Sequence, residues 1–305
     1  MARASQGCIK RTGDAIGRPF CWFAEALAWR GKSFLQKAGN ALTALEIAVR
    51  QGIGFNEAEA KLIGDSQIYW NDSSNRSRKQ YSHWRGSGIF TDDSRWLELG
   101  REHLQLYEQF ARAVDMKYMP KRIVEWGCGG GMNAFHFGRL TEEFYGVDIS
   151  SSSLQECGRQ MAAIGLHNFA PVLINAADPE AALGQVRGLC DLFLSTYVFE
   201  LVPTPEYGIR ILRIAYELLA PGGIAIIQIK YSEGSAKTRS RAWAYAKNLG
   251  WNATYRIDAF WQAAHQCGFV PKMVTLQPQQ PLVNDRNYAY FLLQKQSAKA
   301  TAPRS

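Results

Sequence analysis

Apolar residues along this 305-residue chain change their spacing near residue 120. Upstream they recur every three to four positions, the period of a helix that buries one face. Residues 20–30, 34–50 and 57–63 read as short amphipathic helices, with Ala24, Leu27, Leu35, Leu42, Leu45 and Ile47 among their apolar positions. Asn56 fits as the N-cap of the third, with Glu57 and Glu59 in its first turn. Residues 65–93 are polar and aromatic, and Asn71-Asp72-Ser73-Ser74-Asn75 is a loop signal. A stronger helix starts at Ser94: Trp96, Leu97, Leu99, Leu104, Tyr107, Phe110, Ala111 and Val114 keep helical spacing, and Pro120 stops it.

Downstream, short continuous apolar runs alternate with helical patterns. Strands are expected at residues 122–126, 144–148, 170–174, 189–194 and 224–230, with helices at 133–140, 153–164, 206–219 and 257–266. Ala220-Pro221-Gly222-Gly223 is a breaker before the fifth strand. Unbroken apolar strands separated by helices imply a buried, doubly wound parallel sheet. The ending differs. Only residues 277–286 separate runs at 269–276 and 287–295, too few for a parallel crossover, so the last strand should be antiparallel. The expected division is a disordered tail over 1–18, a helical extension or lid over 19–118, an α/β domain over 119–296 and a second disordered tail over 297–305.

The first strand of that domain ends in Gly127-Cys128-Gly129-Gly130-Gly131, where a ligand can approach backbone with no Cβ in the way. The third glycine of a dinucleotide G-x-G-x-x-G would fall on Met132. Glu125 stands two residues before the first glycine; it would repel a pyrophosphate and attract a cationic amino group. Asp148 ends the second strand, 21 residues after Gly127, placed to accept from both hydroxyls of a ribose.

Glu125 with the three glycines, Asp148, the Leu219–Gly223 turn and the two closing strands together resemble class I S-adenosylmethionine (SAM)-dependent methyltransferases over about residues 120 to 295. The stretches 84–96 and 125–133 resemble bacterial small-molecule members. The resemblance implies a seven-stranded Rossmann-like α/β sheet, doubly wound, with an antiparallel last strand and an N-terminal helical extension. It implies SAM as cofactor, S-adenosylhomocysteine as product and no metal. Cofactor contacts then fall to Glu125, Trp126, Gly127, Gly129 and Gly131, to Asp148 and Ile149, and to Ala176 and Ser195. Asn175 or Asp178 would meet the adenine edge, although many relatives carry Asp where Asn175 stands. Methyl transfer is an in-line displacement in which the protein mainly aligns two molecules. A base is needed only if the nucleophile loses a proton, and Tyr197, Glu200 and His136 are the candidates.

Composition adds less. With 47% hydrophobic and 20% charged residues the chain reads as an ordinary globular protein. A net charge of +8 fits acidic partners or plain solubility. The six cysteines form no CxxC pair, which suits small core residues in a reducing compartment. No run reaches the roughly 20 apolar residues of a membrane span, so a cytoplasmic location is expected. The insert at 231–256 interleaves Lys237, Arg239, Arg241 and Lys247 with Trp243, Tyr245, Trp251 and Tyr255. That pattern fits a phosphate, a stacked ring, single-stranded nucleic acid or an exposed amphipathic helix. The expected function is methylation of a small acceptor: a sugar, a lipid precursor, or the hydroxyl or amine of a natural product. The alternatives are RNA or DNA methylation, for which no Asn/Asp-Pro-Pro-Tyr/Phe signature follows the fourth strand, and a non-catalytic SAM-binding protein.

Overall fold

The computed structural model describes residue 39, residues 41–116 and residues 119–297. The first expected helix and most of both expected tails lie outside them. The chain divides into two compact units, Met1–Gly54 and Phe55–Ser305. Within the first, residues 41–52 are helical and leave Leu42, Leu45 and Val49 exposed.

The second unit is built on a seven-stranded sheet in the order β3-β2-β1-β4-β5-β7-β6. Its strands are β1 (Arg122–Trp126), β2 (Glu143–Asp148), β3 (Phe169–Leu173), β4 (Cys190–Ser195), β5 (Leu219–Lys230), β6 (Phe269–Gln280) and β7 (Asp285–Lys295). The first five run parallel, and β7 is antiparallel to both β5 and β6. The short connection before β7 therefore acts as expected. Its ladder extends to Gln280 opposite Asp285, which leaves a hairpin loop of only residues 281–284. Strand β5 begins earlier than the breaker cluster suggests. Leu219 already pairs with Cys190, and Ala220 to Gly223 form an irregularity in the register rather than a gap before the strand.

Helices cover both faces because successive strand residues point to opposite sides. Val124 and Phe193 join Ile211, Leu212 and Ala215 of α7 (Pro205–Leu218) and Phe260 of α8 (Ile257–Gln266) in one apolar layer. Ile123 and Leu192 join the opposite layer. There they meet Trp96, Leu99 and Phe110 of α3 (Asp93–Ala113), Phe137 of α4 (Met132–Phe137) and Leu154 of α5 (Ser151–Ala163). Local chemistry starts these helices: Asp92, Ser150 and Thr204 each accept a hydrogen bond from a first-turn N–H. Its burial against the sheet makes α3 part of the second unit.

Two further helices precede α3: α1 (Glu59–Asn71) and the short α2 (Ser77–Tyr81), while α6 (Ala182–Gln185) follows β3. Asn56 is not the cap of α1; the N-cap position is Ala58, without a side-chain hydrogen bond. The residues ahead of it are held by the insert instead. Glu57 N–H donates to Ala242 O at 2.8 Å, and its carboxylate accepts from Ala244 N–H at 3.1 Å.

The closing antiparallel strands carry a measurable part of the stability. Phe291 on β7 is fully buried, with its ring centroid 4.8 Å from that of Phe260. Phe291→Ala should lower the unfolding free energy by about 3–5 kcal/mol in equilibrium urea denaturation, because the cavity adds to the lost transfer energy. An unchanged midpoint would contradict the packing described.

Candidate functional site

The glycine turn after β1 is shaped from both sides by protein. Gly127, Gly129 and Gly131 have φ of 72°, 51° and 84°. A Cβ on Gly127 would meet Val198 at 2.4 Å, and one on Gly129 would meet the carbonyl of Ser82 at 2.4 Å. That Ser82 carbonyl also accepts from Gly130 N–H at 2.7 Å. The polar-aromatic segment before α3 thus lies on the turn as a cover. It is anchored from behind, where Trp96 Nε1 donates to His83 O at 2.7 Å.

Two adjoining chambers meet at this turn, sharing Tyr81, Ser82, Gly127, Gly129 and Tyr197 in their walls. The larger encloses about 670 Å³ of empty space and the smaller about 290 Å³, both open in part to solvent. The larger is walled by Trp126, Asp148, Ile149, Ile174, Ala176 and Tyr207, with Ser66, Trp70 and Tyr245 on its other side. Trp70 Nε1 donates to Tyr245 Oη at 2.8 Å, and Tyr245 in turn donates to Leu201 O at 2.6 Å. This chain of bonds clasps α1 to the insert across the chamber. Beside it, Gln67 accepts from Ala176 N–H at 2.7 Å and donates to Ile149 O at 3.3 Å.

Each chamber contains one carboxylate. In the larger, Asp148 accepts from Gly129 N–H at 3.0 Å and Ser150 N–H at 2.8 Å, one bond per oxygen, so both oxygens keep accepting capacity. Desolvation raises its carboxyl to about 6 against the lowering effect of those donors. In the smaller, Glu125 is buried; Oε1 accepts from Asn133 Nδ2 at 2.7 Å, and Oε2 has no hydrogen-bond partner among the described residues. Burial pushes this carboxyl to about 8. An orphaned buried carboxylate oxygen is costly unless something donates to it. The pair fits a ligand with hydroxyls toward Asp148 and a cationic donor toward Glu125, which is the chemistry of the SAM ribose and amino acid ends.

The structure gathers Glu125, Trp126, Gly127, Gly129, Asp148, Ile149, Ala176 and Tyr197 around these chambers. Six expected residues are not on their walls. Gly131 caps α4 and faces Cys157. Ser195 is buried, and its hydroxyl donates to Trp126 O. Asn175 and Asp178 are exposed, and the Asn175 side-chain oxygen accepts from Ala177 N–H, closing its own turn. Glu200 is buried outside both chambers, its carboxyl raised to about 7 by desolvation despite Lys230 nearby. Tyr197 contributes its ring; its hydroxyl is buried without a well-formed bond, and desolvation holds the phenol far above its ordinary value. Of the three expected bases, Glu200 and His136 lie off the chamber walls, and Tyr197 lines both chambers with a phenol that burial keeps protonated. His136 packs against Gly100 of α3.

Sequence reading missed Gln67, Asn133 and Tyr207 as site residues. Only Asn133, a polar residue at a helix start directly after the glycines, carried a local signal. The insert also differs from expectation: Trp243, Tyr245 and Tyr255 are buried, while Lys237, Arg239 and Lys247 are exposed. Among the described residues no group of three His, Cys, Asp or Glu could hold a metal ion, and no helix is long and apolar enough to cross a membrane.

Residues 93–272 match a family described as a methyltransferase domain. Two curated relatives are each called ubiquinone biosynthesis O-methyltransferase. That of Caulobacter sp. (strain K31) is 31% identical over 106 residues, 35% of this chain and 39% of the relative. That of Psychrobacter cryohalolentis is 25% identical over 137 residues, 43% of this chain and 49% of the relative. The chain thus spans under half the length of either. A solved structure of magnesium protoporphyrin IX methyltransferase from Synechocystis PCC 6803, with bound S-adenosylhomocysteine, aligns with a TM-score of 0.52 at 14% identity. The alignment covers 77% of this chain and 99% of that one, a likeness of fold.

The two carboxylates set a pH dependence of the ligand-free protein. Both folded values, about 8 for Glu125 and about 6 for Asp148, lie above those of an unfolded chain. The folded state therefore holds protons that the unfolded state has released, and stability is lost as pH rises through these values. Each group can contribute a slope of at most about 1.4 kcal/mol per pH unit. In denaturant titrations across pH, Glu125→Gln should flatten the fall between the two values and be more stable than the parent above the upper one. A fall as steep as that of the parent would rule out Glu125 as its source.

Proposed function

The chain belongs to the SAM-dependent methyltransferase family, and from that premise we propose that it methylates a hydroxyl of a small organic acceptor. Bound SAM supplies a methyl group on a positively charged sulfur. In the proposed arrangement Asp148 accepts from the ribose hydroxyls and Glu125 Oε2 receives the ammonium end. Trp126, Ile149, Ile174 and Tyr207 provide the apolar surround of the adenosine. The clasp between Trp70 and Tyr245 excludes water from that side, which strengthens the polar contacts inside.

One observation carries the choice of acceptor. The larger chamber is walled largely by aromatic and apolar groups and the smaller more by polar ones, and the described walls of neither include Lys or Arg. A polyanion needs cations near the reacting atoms, because phosphate neutralisation supplies most of its affinity. Arg239 and Arg256 of the insert share a cleft with Glu57, Glu59 and Glu206, which weakens the attraction of that cleft for phosphate. The O-methyltransferase names of both curated relatives support a hydroxyl as the receiving group.

Calorimetry with SAM and S-adenosylhomocysteine tests the donor half. Asp148→Ala should weaken binding by about 1–3 kcal/mol through lost buried hydrogen bonds. Transfer of labelled methyl from SAM to a panel of phenols, catechols and sugars, run beside total RNA, tests the acceptor half. Labelling of a hydroxylated small molecule is expected. Labelling confined to RNA, with affinity falling as salt rises, would overturn the proposal.

A further inference from the structure

Glu125 is not held by its own strand alone. The Asn133 carboxamide beside it is fully used: Nδ2 donates to Glu125 Oε1 at 2.7 Å and to Thr196 Oγ1 at 2.9 Å, while Oδ1 lies 2.8 Å from His103 Nδ1. Once a cationic ligand holds Glu125 ionised, its carboxylate only accepts, so the amide keeps its NH₂ toward Glu125 and its oxygen toward His103, as the contacts place them. His103 must then carry its proton on Nδ1. Its Nε2 is left facing the Tyr290 hydroxyl at 3.5 Å. All three members, His103, Asn133 and Glu125, are at most 3% exposed. Solvent cannot readily replace a lost partner.

We infer that His103 and Asn133 form a positioning relay that fixes Glu125 to receive the cationic end of the cofactor, making α3 part of the cofactor site. This rests on the reading of the site as a SAM site. Without the Nδ1–H donor, the amide is free to rotate and offer its oxygen to Glu125, which favours the protonated acid. The Asn133 bond is the one contact that lowers the Glu125 carboxyl; burial and the Asp148 charge raise it. His83 and Tyr197 border the same chamber, and Cys128 and Cys157 lie beside the turn. His83 is held neutral by burial, and the phenol and both thiols are raised, so none of these adds charge at neutral pH. His136 lies behind His103, and burial lowers both imidazoles, His103 to about 4.

The test compares two ligands that share the adenosine and differ in the amino acid end. S-adenosylhomocysteine and methylthioadenosine are titrated calorimetrically into the wild type, His103→Leu and His103→Gln across pH. In His103→Leu the homocysteine ligand should lose about tenfold or more in affinity, as for a lost bond supporting a charged group. Methylthioadenosine should stay within about twofold, since it makes no demand on Glu125. The pH midpoint of S-adenosylhomocysteine binding should move upward, and His103→Gln, which retains an N–H donor, should restore both readings toward wild type. Equal loss for both ligands, or no shift of the midpoint, would overturn the relay and leave the SAM reading intact. Failure of the wild type to bind either ligand would overturn both. Should His103→Leu not fold, nitrogen-15 spectra of the wild-type histidines decide instead, because an Nε2–H tautomer at His103 excludes the relay.

Discussion

A buried carboxylate with one unsatisfied oxygen constrains this site more than any other single feature. Glu125 is the penultimate residue of a strand whose neighbours on both sides are apolar and parallel, so the sheet offers it no water. The fold offsets part of that cost with one amide, and the rest leaves the acid poorly ionised when nothing is bound. Desolvation that makes the empty site reluctant to hold charge also makes it selective, since only a donor, and best a cation, relieves it. Asp148 faces the same pressure to a smaller degree because two backbone N–H groups already serve it. The two acids are therefore graded by how many donors already serve them, which suits the proposed assignment of neutral hydroxyls to one and a positive charge to the other.

How much of this was readable in the chain follows from the range of the forces involved. Strand β1, helix α8 and the start of α3 at Asp92–Ser94 are set by neighbours within a few residues, and their boundaries were legible to within a residue or so. The antiparallel closure was legible because connection length alone excludes a crossover. The cover of the site was not. Gln67 reads as one polar residue on a helix surface, and its meaning comes from backbone groups 82 and 109 positions away. The Trp70 to Tyr245 bond spans 175 positions, a pairing that no local pattern encodes. Asn175 failed for the opposite reason. Its side chain satisfies a backbone group two residues on, the habit of Asn in turns, and is lost to the cavity.

The aromatic residues of the insert illustrate how one pattern supports opposite readings. Interleaved cations and rings can stack nucleic acid when both face water. Here the rings turn inward. Trp251 is half-buried between Lys230 and Arg241, with the cationic centres 4.3 and 5.3 Å from its ring centroid. Lys230 itself is buried and paired with Asp285 at 2.7 Å. Lys230 of β5 and Arg241 of the insert are thereby committed to holding Trp251 and the strand end, and net charge says little about what the site receives.

Closure by two distant segments also bears on how ligands enter. The chamber wall opposite the sheet is made of α1, the Tyr81–Trp84 cover and the insert, joined mainly through side-chain bonds such as Trp70 to Tyr245. A side-chain bond of this kind contributes about 1 kcal/mol net, far less than a strand pairing or a core layer. The sheet and its two acids thus form the fixed half of the site, and the wall is the half that can part without disturbing the core. Ligand exchange should follow the wall. In the proposed arrangement, recognition of the donor falls to the residues that cannot move: the glycine turn, Asp148 and the anchored Glu125.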